Sequence, residues 1–129
     1  MKLKNTVIHV LVQVLNQLDP AIGRSPYKLN GKVRFAMAKN LRKLQVELDT
    51  LETVRQKLIE EYGLTPTKQP DGSSRLDGEK FAEYEQAFND VLDAETEVDL
   101  HQITEADLDL DANQIPFTLL SPLIGTLVV

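Results

Sequence analysis

A chain of 129 residues with 42% apolar side chains is long enough for one domain with a modest core, and too apolar for wholesale disorder. It contains no Cys and no Trp, which excludes disulfides, thiolate metal sites and cysteine nucleophiles and leaves an aliphatic core. The net charge of -6 hides a gradient: residues 1–46 carry nine Lys/Arg and one acid, Asp19, whereas residues 77–129 carry one base, Lys80, and thirteen acids. Such asymmetry marks a nucleic-acid-binding half, an acidic tail, or two halves that pack together and neutralise one another. The last is the plainest reading.

The first expected element is a helix over residues 5–18. His9, Gln13 and Asn16 share one face, and Ile8, Leu11, Leu15 and Leu18 form the opposite stripe, widened by Val7 and Val14. The β-branched residues make a strand the competitor, but the spacing of the polar residues favours the helix. Asn5 or Thr6 is the expected cap, and Asp19-Pro20 ends the helix because the residue before proline is pushed out of helical geometry. Its polar interruptions, with no cleavage site following, predict that it is not a secretory leader. Residues 21–31 read as a loop, with turn signals at Gly23, Ser25-Pro26 and Asn30-Gly31.

A long helix is expected over residues 32–62, closed by Gly63 as a left-handed cap. Met37, Leu41, Leu44, Leu48, Leu51, Leu58 and Tyr62 fall at spacings of four and three, the seam of an antiparallel hairpin, a bundle or a coiled coil. Leu44 and Leu51 are expected to be buried, and Leu48 to behave as a core residue. Arg55 interrupts the seam; it either fixes register against a buried acid or snorkels to water.

Pro70-Asp71-Gly72 within residues 64–76 reads as a small β-hairpin or an exposed loop. A third helix is expected over residues 78–94, capped by Asp77, with Phe81, Tyr84, Phe88 and Val91 in the same rhythm. The predicted fold is therefore mainly α, a long antiparallel helical hairpin plus an N-terminal helix in a single helical domain spanning 1–129. In it the acidic third helix runs towards the basic half of the long one. The long seam exceeds what the third helix covers, which leaves either Val33 to Leu41 or Val54 to Tyr62 for the first helix, the tail or another copy; a homo-oligomer is expected.

Glu97, Asp99 and His101 alternate with Val98, Leu100 and Gln102, which predicts a short strand over residues 97–103 with one wet face. Residues 115–129 are apolar but broken by Pro116 and Pro122, too short for a membrane span of ~20 residues. They predict an extended or broken docking tail, in which Phe117, Leu120, Leu123 and Ile124 are the candidate protein interface.

Candidate chemistry is thin. Asp107, Asp109 and Asp111 resemble the start of a calcium loop, but Ala112 stands where the turn needs Gly and Thr118 where a bidentate Glu is needed. Glu97, Asp99 and His101 have ligand-type spacing, for which an ordinary wet face is the better account. No paired Glu-x-x-Glu helices, Ser/His/Asp set, phosphate loop or zinc spacing occurs, so no catalytic, cofactor or metal residue is nominated and a non-enzyme is expected. The strongest remaining signal is the basic run from Arg24 to Lys43. Lys32, Lys39, Arg42 and Lys43 are candidate nucleic-acid contacts, although solvation or internal pairing explains them more simply.

Lys39-Asn40-Leu41-Arg42-Lys43-Leu44 through Glu47-Leu48, then Arg55-Gln56-Lys57-Leu58-Ile59-Glu60-Glu61-Tyr62-Gly63, resembles a type of small protein found in phage and prophage genomes. The Pro70-Asp71-Gly72 turn, the Phe81 helix and Glu97-Val98-Asp99-Leu100 follow in the same order, so the resemblance covers roughly residues 28–103. It implies a viral or prophage origin, in the host cytoplasm or the virion, and brings no activity or site residues with it. The expectation is a non-enzymatic interaction, structural or assembly protein. The alternative is a nucleic-acid-associated or host-directed regulator using the basic stripe at 24–43 or the acidic C-terminal half.

Overall fold

In a computed structural model that describes residues 1–20 and 23–129, the chain is mainly α. The described elements are β1 (Lys2–Lys4), α1 (Asn5–Leu18), α2 (Gly31–Glu61), β2 (Thr65–Lys68) and β3 (Ser74–Asp77), then α3 (Phe81–Asp93), β4 (Glu95–Glu97), α4 (Glu105–Leu108) and α5 (Phe117–Leu120). Of the loop expected over residues 21–31, Ala21 and Ile22 lie outside the described residues.

The helix α1 forms because its stripe finds a core on almost every side. Ile8, Leu11, Leu15 and Leu18 are fully buried, whereas His9, Gln13 and Asn16 stay in water. Neither Asn5 nor Thr6 caps it. The N-cap is Lys4, in extended geometry at the end of β1. Asn5 turns inward instead: its Nδ2 donates to Val91 O at 2.7 Å, and its Oδ1 accepts from Thr96 Oγ1 at 2.6 Å. These bonds staple α1 to the end of α3 and to β4, which pairs antiparallel with β1.

Asn30 starts α2 by accepting from the Val33 N–H at 2.9 Å, which satisfies one of the helix's orphan donors. At the other end Gly63 (φ 65°) donates to Glu60 O and Leu64 donates to Ile59 O, the paired bonds of a left-handed helix stop. Val33, Ala36, Met37 and Leu44 are buried in the same core as α1, and Leu51 is buried further along. Leu41 and Leu48 are only half-buried. A second, smaller cluster holds Ile59, Leu64 and Tyr84, with Leu58, Tyr62, Leu76 and Phe88 against it.

This arrangement corrects one expectation. The basic half of α2 lies against α1, while α3 sits beside the C-terminal part of α2, so the acidic helix does not neutralise the basic run. Of the occupants left open for the excess length of the seam, the chain's own α1 and C-terminal segment pack against its N-terminal part. Arg55 lies half-exposed and pairs with Glu52 on its own helix at 2.9 Å, reaching towards water rather than a buried acid.

The residues after α2 form a hairpin, with Thr65 opposite Asp77 and Lys68 opposite Ser74. Asp71 Oδ1 accepts from the Ser73 N–H and hydroxyl, which closes the turn. Asp77 is therefore a strand residue and does not cap α3, which begins at Phe81 with Lys80 as N-cap. The strand expected over 97–103 is displaced: Glu95–Glu97 pairs with the three residues of β1, and within 97–103 Ile103 forms an isolated bridge with Val128. The alternation persists only to His101: Val98 is buried and Leu100 half-buried between exposed Glu97, Asp99 and His101, and it breaks where Gln102 is exposed and Ile103 buried.

The tail is a short helix followed by turns. It closes on Ile103, which donates to Leu127 O at 2.8 Å and accepts from the Val129 N–H at 2.9 Å. Ile115, Leu123, Leu127 and Val128 are buried in the main core.

Candidate interaction surfaces

The apolar tail is divided by its own secondary structure. Pro116 precedes a single helical turn, in which residues three or four apart share a face. That turn seats Leu119 and Leu120 half-buried and leaves Phe117 74% exposed. After the turn Leu123 is 1% exposed and Ile124 is 50% exposed. The four residues expected at an interface therefore separate. Phe117 and Ile124 face solvent, Leu120 lies at the margin, and Leu123 is corrected to a core residue that anchors the segment.

The basic candidates separate as well. Lys32 Nζ lies 3.3 Å from Asp107 Oδ1, and Lys43 donates to Asp99 O at 2.7 Å. Both are drawn to the returning C-terminal segment, so the neutralisation expected from α3 comes in part from Asp99 and Asp107. Lys39 lies over the Phe35 ring, 4.9 Å from its centroid. Arg42 remains at the mouth of a groove of about 550 Å³ between the end of α1 and the middle of α2, lined also by Leu15, Met37, Leu41 and Val46.

Asp107 is held at the start of α4 by a reciprocal cap: it donates its N–H to Thr104 Oγ1, and its carboxylate accepts the Thr104 N–H at 2.9 Å. The Thr104 backbone bond first, then the Thr104 side chain and the Lys32 ammonium, hold its carboxyl below the ordinary value of 3.8. Among the described residues no three His, Asp or Glu side chains are grouped to hold a metal ion. Glu97, Asp99 and His101 share exposure, with no fourth group converging on them. No helix among the described residues is long and apolar enough to cross a membrane.

The residues that the sequence reading missed are three buried asparagines. Asn40 is 2% exposed; its Nδ2 donates to His101 O and its Oδ1 accepts from the His101 N–H. Asn113 takes the Lys28 N–H, and its Nδ2 lies 2.8 Å from Lys28 O and 2.9 Å from Leu108 O. Asn5 joins α1 to α3 and β4 as described above. The Asn40 and Asn113 amides substitute for a strand neighbour, each holding an irregular segment in place. One signal was available: Asn40 falls between Val33, Met37 and Leu44 at the spacing that demands an apolar side chain.

Comparison with known protein families, characterised proteins and solved structures finds no match.

Proposed function

We propose that this chain is a non-enzymatic interaction or assembly protein of phage type, acting in the host cytoplasm or the virion. The observation that carries the reading is Phe117. A tail with nine large apolar residues buries four of them in its own core, yet holds Phe117 and Ile124 out in water on an anchored helical turn and bend. An aromatic side chain kept exposed on a fixed support is the usual form of an interface anchor. The partner in this reading is a viral or host protein.

Nucleic-acid binding is the weaker reading, because Lys32 and Lys43 already have partners in the C-terminal segment. The test compares capture of partners from infected cells by the wild-type chain and by a Phe117→Ser, Ile124→Ser variant of equal thermal stability. Loss of a specific protein with the variant supports the reading. Recovery of nucleic acid instead, released by moderate salt, supports the alternative.

A further inference from the structure

The solvent face of α2 carries a second stripe at spacings of four and three, separate from the buried seam. Phe35, Lys39, Arg42, Val46, Asp49 and Thr53 all lie on it, and all are exposed. Two are large apolar residues in water, Phe35 and Val46, each at 60% exposure. Among the described residues Lys39, Arg42 and Asp49 have no ion-pair partner. The Asp49 carboxylate accepts only neutral donation, from the Gln45 amide at 3.0 Å.

The order of these residues is the informative part. Reversing the stripe about Val46 lays Arg42 on Asp49, Lys39 on Thr53 and the neighbouring Glu52, and Val46 on itself. We propose that this face binds a second copy of the chain, the two α2 helices running antiparallel across a two-fold axis at Val46. A two-fold axis presents every contact twice, so one Arg–Asp match supplies two ion pairs, one on either side of the axis. A parallel pairing sets Arg42 against Arg42 and Asp49 against Asp49, and is disfavoured by the same charges. The Val46 side chains meet at the axis, beside the apolar groove lined by Leu15, Met37 and Leu41. This surface is distinct from the tail carrying Phe117, so either assignment stands or falls without the other.

Sedimentation equilibrium on the full chain tests it with two charge reversals at exposed positions, with circular dichroism verifying that each variant folds. The wild-type chain is expected to dimerise over micromolar to sub-millimolar concentrations. Arg42→Asp and Asp49→Arg each convert two attractions into two repulsions, and each is expected to weaken dimerisation at least ~10-fold. The double variant restores it. Mixing the two single variants produces a heterodimer, since an all-acidic centre then faces an all-basic one. A wild-type chain that stays monomeric throughout overturns the proposal, as do single variants that dimerise like wild type. A mixture that forms no heterodimer overturns the antiparallel register.

Discussion

The side chain of Asn40 on α2 and the backbone of His101 are joined twice, donor to carbonyl and carbonyl to N–H, both at 2.8 Å. An asparagine in the middle of a helix thus acts as one rung of a β-ladder for a segment that has no strand partner there. Its amide is buried, so its hydrogen-bonding groups depend on this one residue for satisfaction. Asn40→Ala removes both bonds and opens a small void, and is expected to lower stability by ~1–3 kcal/mol in urea unfolding. Asn40→Asp keeps the acceptor but aims a carboxylate at the His101 carbonyl, and should be the more damaging of the two. Equal stability of wild type and both variants would remove the clasp from the account.

The two leucines at the centre of the seam separate by depth. Leu44 has no exposure and Leu48 is half-buried. Leu44→Ala is expected to cost ~2–5 kcal/mol as a cavity mutation. Leu48→Ala, read from the sequence alone as an equivalent core change, should cost clearly less. Thermal melts of the two variants side by side check the ranking.

Removal of residues 115–129 takes Ile115, Leu123, Leu127 and Val128 out of the main core, so the shortened chain should melt far below the full one or fail to fold. Phe117→Ala, by contrast, touches a side chain that is mostly in water and should leave the melting temperature within ~1 °C. A large drop with Phe117→Ala would mean that this ring serves the fold after all.

Asp107 makes the C-terminal half sensitive to acid. Its folded-state carboxyl titrates below its ordinary value through the Thr104 N–H, the Thr104 side chain and Lys32. A depressed folded value contributes stability that is complete above the unfolded value and is lost as the pH falls through the folded one. The difference in melting temperature between wild type and Asp107→Asn should therefore shrink as the pH is lowered from neutral through the acidic range. A difference that grows on acidification contradicts the assignment.

The helices were legible because burial on one side imposes a period that a sequence displays openly. The spacing of Ile8, Leu11, Leu15 and Leu18 required a helix, and Gly63 marked the end of the next one, whereas Asn30 read only as a turn residue and is its N-cap. Caps at Asn5 and Asp77 were misread because each residue is recruited by a partner distant in sequence: Asn5 by Val91 and Thr96, Asp77 by its strand position opposite Thr65. Local chemistry cannot show that α1 rather than α3 covers the basic half of α2, since both helices offer an apolar stripe. The tail's apolar residues were visible as a group. Their division into Leu123 inside and Ile124 outside depends on a turn whose orientation only the packed chain determines.

The pairing of β1 with β4, and of Ile103 with the residues near Val128, has a consequence for synthesis. The first 44 residues carry most of the largest buried side chains, and α1 and α2 cover one another in part, but the rest of their cover comes from beyond residue 90. During translation α1 and the start of α2 therefore emerge with an unfinished core, and closure waits for the last third of the chain. Folding dominated by such distant partners is slow relative to a bundle closed by local contacts. A ribosome stalled before residue 98 should hold a chain that proteases cut readily within α1, whereas the same bonds in the released protein resist cleavage.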